Sequence, residues 1–273
     1  MGAEGPARRL RGAGGRAKKS LGQHFLASPQ VALRIVQLAG VGEGSRVLEI
    51  GPGLGALTEP LLRSGALVVA VERDRVLAAA LRERFPGLVL YEADAMKVDW
   101  ATLLPGPGWR CVSNLPYNVG THLVSGMVRA STTFERLVVM LQLEVAERIT
   151  ARPGGKAYGA LSVELAARAE ARLLLHVRPG SFHPPPRVDS AVIELAPRPH
   201  PAVQDLDLDG FDEVVRAAFA QRRKMLRRSL SAVYGQERAM SALTEAGIAP
   251  EERPERLPPE AFAALAKALL SLL

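Results

Sequence analysis

The chain has 273 residues, 48% of them hydrophobic and 23% charged, which is the composition of a folded globular protein rather than a disordered polymer. No apolar run approaches the ~18 residues of a membrane span, and no basic-then-apolar signal peptide opens the sequence. Its single cysteine, Cys111, excludes an intrachain disulfide and a cysteine-based zinc cluster and suits a reducing cytoplasm.

The net charge of +7 is unevenly spread. Residues 1–19 carry Arg8, Arg9, Arg11, Arg16, Lys18 and Lys19 against Glu4 alone, a local +5 on a nearly balanced body. This reads as a flexible basic arm, either a solvated tail or a segment that binds phosphate through counterion release.

The first helix is announced by Ser28 as a cap, Pro29 in the first turn, Val31, Ile35 and Leu38 at helical spacing, and Gly40 as a stop. Strands and helices then alternate: strand 46–50, helix 55–64, strand 67–71, helix 74–84, strands 88–91 and 110–113, a helix from 119, strand 137–141 and helix 142–150. Such repeated units predict a parallel sheet with helices on both faces. Two later apolar runs, 172–177 and 190–195, have no long helix between them and predict an antiparallel pair closing the sheet edge.

Residues 196–201 are proline-rich and read as a linker. Beyond it only helical stripes appear: Phe211, Val214, Val215, Ala218 and Phe219, then Leu226 and Leu230, then Phe262, Leu265 and Leu269. The expected organisation is the arm 1–19, an α/β domain over 20–198, and a small all-helical domain over 205–273.

Strand 46–50 runs into Gly51, Pro52, Gly53, Leu54 and Gly55. Glycines there permit a sharp turn and close approach of backbone to a ligand. Glu72 follows 21 residues after Gly51, at the end of the next strand, where a carboxylate can accept from both ribose hydroxyls of an adenosine. Pro52 inside the turn and the absence of a glycine at 56 argue against a pyrophosphate. They favour an adenosine without phosphates, S-adenosylmethionine. Asp94 can accept from its adenine amino group.

The only two asparagines, Asn114 and Asn118, fall within one five-residue segment after the fourth strand. Parallel sheets bind ligands at these carboxyl ends. An exocyclic adenine amine is a poor nucleophile because its lone pair is delocalised into the ring. Hydrogen bonds from it to the Asn114 side chain and the Leu115 carbonyl favour a pyramidal nitrogen, Pro116 fixes that turn, and Tyr117 offers a stacking face worth ~1–3 kcal/mol per base. In-line attack on a sulfonium methyl then needs positioning more than a base. The five histidines lack ligand spacing, so no metal is expected.

Four motifs occur in order: Lys19 to Leu26 (KSLGQHFL), Glu49 to Gly53 (EIGPG), Asn114 to Asn118 (NLPYN) and Phe182 to Ser190 (FHPPPRVDS). Together they resemble the ribosomal RNA adenine N6-dimethyltransferases of the small-subunit, KsgA/RsmA type. The resemblance implies a class I, Rossmann-like methyltransferase with a seven-stranded, mostly parallel sheet and a small helical domain. It also implies dimethylation of two adjacent adenines in the 3′-terminal hairpin loop of 16S rRNA within the assembling 30S particle, by a cytoplasmic enzyme expected to be a monomer.

Carried over by position, the resemblance makes His24, Leu26, Gly51, Gly53, Glu72, Asp94 and Asn114 contacts of the cofactor, and Tyr117 and Phe182 an aromatic pair around the target base. Arg73 stands where an aliphatic residue is usual. Arg222, Arg223, Lys224, Arg227 and Arg228 lie where the family has a basic RNA-binding helix, with Met225 and Leu226 expected to face inward. Two alternatives share this fold: a large-subunit rRNA methylase of the antibiotic-resistance type, and a non-catalytic RNA-binding assembly or transcription factor.

Overall fold

The computed structural model describes residues 22–271 except 199, 222 and 223; the basic arm 1–19 therefore lies outside the described residues. The chain divides into two units, 1–146 with 172–197 and 147–171 with 198–273.

The first unit is α/β. Its elements are β1 (Phe25–Leu26), α1 (Pro29–Ala39), β2 (Arg46–Ile50), α2 (Thr58–Arg63), β3 (Leu67–Glu72), α3 (Arg75–Arg84), β4 (Val89–Glu92), α4 (Trp100–Leu103), β5 (Trp109–Asn114), α5 (Gly120–Arg129) and β6 (Phe134–Gln142). After α6 (Leu143–Ile149) and α7 (Ala160–Ala166) come β7 (Ala169–Val177), β8 (Phe182–His183) and β9 (Ser190–Pro197). The seven-stranded sheet has the order β4-β3-β2-β5-β6-β9-β7. The first five strands are mutually parallel and β9 runs antiparallel to β6. This is the α/β, mostly parallel sheet that the alternation predicts and the Rossmann-like arrangement that the resemblance implies, with β9 and β7 outermost on the β6 side. Parallel register brings the carboxyl ends of β2, β3 and β5, carrying Ile50, Glu72 and Asn114, to one edge.

Apolar side chains of α1 and α2 (Ile35, Ala39, Leu61) cover one sheet face, against Val47, Val68, Ala70, Val112 and Val138, all buried. Each valine, leucine or isoleucine among them contributes roughly 1.5–3 kcal/mol when withdrawn from water. Helix α1 starts and stops where its sequence says: Ser28 Oγ accepts from Val31 N–H, and Gly40 closes the helix with φ 61°. Helix α2 begins at Thr58 rather than 55. Gly55 has φ 79° and its N–H donates to the Pro52 carbonyl, so the turn continues where a helix was expected.

The second unit comprises α8 (Leu208–Phe219), α9 (Leu226–Tyr234), α10 (Gln236–Glu245) and α11 (Pro259–Leu270) together with residues 147–171. This differs from the expected division at 198. Tyr158, Val163 and Ala167 share a core with Phe211, Val214, Leu230, Leu243, Phe262 and Leu265. Tyr158 Oη donates to the Leu257 carbonyl. Arg168 adds a buried two-pronged pair with Asp212 at 2.8 and 3.0 Å. The proline-rich linker marks where the chain returns to this unit, not where the unit starts.

Candidate active site

The cavity opens where the sheet's central ladder ends. Backbone pairing between β2 and β5 stops at Leu48 and Cys111. Beyond it the Ile50 N–H donates to the Ser113 hydroxyl at 2.8 Å, so a side chain takes over from the neighbouring backbone. The glycine turn follows. Gly53 has φ 59°, and a Cβ on it would lie 3.0 Å from the Phe25 ring. Both the left-handed backbone and the close approach of β1 therefore require glycine. Gly51 is also left-handed at φ 65°, and a Cβ on it would lie 3.7 Å from the Pro116 ring.

Glu72 is 6% exposed. One carboxylate oxygen accepts from Gly53 N–H at 3.1 Å and the other from Asp74 N–H at 2.8 Å. These bonds fix the carboxylate plane and still leave it acceptor capacity. Burial raises its pKa above the ordinary value, against the lowering effect of those backbone donors. Asp94 lines the same cavity. One of its oxygens accepts from Met96 N–H at 3.1 Å, and the other lies 3.4 Å from an Arg73 guanidinium nitrogen.

Asn114 ends β5. Its side-chain N–H donates to the His24 carbonyl at 3.1 Å, which sets the orientation of the amide. The opposite atom, Oδ1, is buried without a hydrogen-bond partner. Such an orphan costs about 1–3 kcal/mol unless a ligand supplies a donor. Leu115, Pro116 and Tyr117 continue the lining. The Tyr117 hydroxyl bonds the Ser190 hydroxyl at 2.5 Å, and its ring stacks with His24 at a centroid separation of 5.4 Å. Burial pushes the Tyr117 pKa up.

His24 and Leu26 reach the cavity through a two-stranded sheet, β1 with β8, registered Phe25 to His183 and Leu26 to Phe182. The His24 Nδ1 is 2.8 Å from the Pro184 carbonyl. Two-residue strands carry no periodic signal, and nothing in the pattern of residues 22–26 reveals this pairing. Phe182 departs from the expected aromatic pair: it is 4% exposed, belongs to the hydrophobic core and does not line the cavity. Its pairing with Leu26 turns it inward.

Glu49 was singled out only as part of a motif. It is fully buried among the apolar residues of β2 and lines the cavity. Thr58 donates to it at 2.7 Å, and desolvation pushes its pKa to about 8. An acid inside the buried run Val47–Ile50 is the signal for it in the sequence. Among the described lining residues, the carboxyl groups of Glu49, Glu72 and Asp94 stand against one guanidinium, Arg73, with Glu49 largely holding its proton at neutral pH. This balance suits a ligand with hydroxyl, amine or cationic groups and opposes a pyrophosphate.

In the helical unit, Lys224, Arg227 and Arg228 are exposed, and Arg222 and Arg223 lie outside the described residues. Leu226 is buried as expected, but Met225 is 38% exposed. Met225 occupies the extended N-cap position of α9, off the helical stripe that turns Leu226 and Leu230 inward. Among the described residues no three potential metal ligands come together, and no helix is long and apolar enough to cross a membrane.

A family model described as ribosomal RNA adenine dimethylase matches residues 14–270. Ribosomal RNA small subunit methyltransferase A of Phenylobacterium zucineum is 46% identical over 93% of this chain and 89% of its own length. Its namesake in Moorella thermoacetica is 42% identical over 92% of each chain. Among solved structures, a dimethyladenosine transferase from Plasmodium falciparum superposes with TM-score 0.74 at 25% identity, covering 89% of this chain and 96% of its own. The 23S rRNA methyltransferase ErmE superposes with TM-score 0.70 at 28% identity, covering 90% and 99%. With these matches spanning nearly its whole length, the chain belongs to the ribosomal RNA adenine dimethylase family.

Proposed function

We propose that this protein transfers methyl groups from S-adenosylmethionine to the N6 amines of two adjacent adenines in the 3′-terminal hairpin loop of 16S rRNA. Each adenine receives two methyl groups, within the assembling 30S particle and in the cytoplasm, and the protein works as a monomer. The observation that carries this reading is the buried, unpartnered Oδ1 of Asn114, set by the His24 carbonyl at the carboxyl end of β5. An adenine amine supplies the donor this atom lacks. The Leu115 carbonyl takes the second N–H, Pro116 holds that carbonyl in place, and the base stacks on the Tyr117 face turned away from His24.

S-adenosylmethionine, when bound, supplies an electrophilic methyl. The residues present fit it: Glu72 has acceptor capacity for two ribose hydroxyls, Asp94 accepts from the adenine amine, and Gly51 and Gly53 admit the ligand close to the backbone. His24 and Leu26 close the cavity from the N-terminal side, and Phe182 supports that strap from below. Lys224, Arg227 and Arg228, with Arg222 and Arg223, bind RNA phosphates. The names of the 42–46% identical relatives support the small-subunit target.

The test is mass mapping of methylated adenines after incubation with under-methylated small and large subunits. Two adjacent dimethyladenines in the small subunit are expected. Methylation of the large subunit alone favours the antibiotic-resistance type, and methylation of neither overturns the enzymatic reading.

A further inference from the structure

We propose that Arg73 is a positioning residue that sets which purine the cavity accepts. The inference rests on the reading of the cavity as an adenosine site and concerns a residue to which that reading gives no role.

Arg73 directly follows Glu72 at the end of β3, and its side chain lines the cavity. Its guanidinium reaches across to the loop after β4, with Nη1 3.4 Å from Asp94 Oδ2. The other oxygen, Oδ1, is held by the Met96 N–H at 3.1 Å. Asp94 thus carries a hydrogen bond on one oxygen, from its own loop, and an exposed ion pair on the other, from the neighbouring strand. An ionised carboxylate has about four acceptor positions, so two remain for a ligand while the plane of the group is fixed.

The neighbouring cations cannot substitute. Arg75 and Arg82 both pair with Glu92, at 3.0 and 3.6 Å. Without Arg73, Asp94 keeps a single backbone tether and its Oδ2 is free to turn toward water.

A fixed acceptor discriminates between purines. A 6-amino group donates to it, whereas a 6-oxo group sets oxygen against oxygen and leaves the carboxylate unmatched. Arg73 therefore favours adenosine over inosine through Asp94. The pair is largely solvent-exposed on the Arg73 side, at 61%, so the effect on affinity is no more than about fivefold.

Isothermal titration of the full chain with S-adenosylhomocysteine and with S-inosylhomocysteine tests this. The wild type is expected to prefer the adenosyl compound. Arg73→Leu should weaken adenosyl binding about threefold to fivefold and leave inosyl binding unchanged, so the preference shrinks. Arg73→Lys, which can still present a charge to one oxygen, should recover most of the loss. Equal losses on both compounds, no loss on either, or a lysine variant that behaves like leucine overturns the role of Arg73. A wild type that binds neither compound overturns the adenosine reading of the cavity itself.

Discussion

Buried acids are treated in opposite ways in the helical core and around the cavity of the α/β unit; elsewhere in that unit the buried Glu194 pairs with Arg136 and Arg172. In the helical unit, Asp212 is 1% exposed and takes both prongs of Arg168, whose two Nη atoms also donate to the Glu164 and Leu208 carbonyls. Charge there is cancelled and every tether serves packing. In the α/β unit, Glu49 and Glu72 are comparably buried, at 2% and 6%. They hold only a hydroxyl and backbone N–H groups, with no cation on either carboxylate among the described residues. Their pKa values rise accordingly. Leaving acids and the Asn114 oxygen unmatched keeps the site open for a ligand, at the expense of stability.

Breaking the closed pair should have the largest effect. Asp212→Ala strands Arg168 in the helical core and is expected to cost about 3–5 kcal/mol, read as a lower denaturation midpoint in urea. Binding of S-adenosylhomocysteine under native conditions should be unchanged. A loss below 1 kcal/mol would remove the contrast drawn between the units.

Asn114→Ala removes the orphan acceptor itself. Turnover on small subunits should fall about 10²–10³-fold, the scale of deleting one preorganised hydrogen-bonding group from an active site. Affinity for S-adenosylhomocysteine should fall much less. Single-turnover methylation beside calorimetry separates the two, and undiminished turnover would discard the role given to Asn114.

Glu49 sharpens the contrast through pH. Its folded value of about 8 lies above the ordinary 4.5, so the folded state holds the proton more tightly than the unfolded chain. The resulting stabilisation is fully present below about pH 4.5 and is lost as pH rises through about 8. The slope in that window is bounded by about 1.4 kcal/mol per pH unit. Urea denaturation across this range should show the decline in the wild type and a flatter profile in Glu49→Gln. Identical profiles would mean that Glu49 titrates normally.

The smallest effect is expected at the surface. Lys224→Gln and Arg228→Gln should each reduce the slope of log affinity against log salt for rRNA by about one unit. Filter binding at several salt concentrations is the check, and unchanged slopes would take these residues off the RNA.

Much of the α/β sheet was legible because its signals are local. Residues 46–50 and 67–71 read as buried strands, and Glu72 is found by counting from a glycine turn. The rarity of asparagine drew attention to Asn114. Other features were hidden for physical reasons. Gly55 prolongs a turn that hydrophobic spacing alone would make a helix. Residues 147–171 fall inside the range expected for the α/β domain, and only contacts such as those of Tyr158 and Arg168 assign them to the helical core. Phe182 and Met225 exchange their expected environments, because a two-residue strand buries one and an N-cap backbone exposes the other.

By itself the sequence determined the order of elements and the kinds of side chain available at the carboxyl ends of the strands, since propensity, period and turn chemistry act over a few residues. The tertiary structure decided which atoms of those side chains are left without partners. Asn114 takes its orientation from a carbonyl 90 positions away, and His24 is held by one 160 positions away. Burial and hydrogen-bond satisfaction depend on neighbours that only folding brings together.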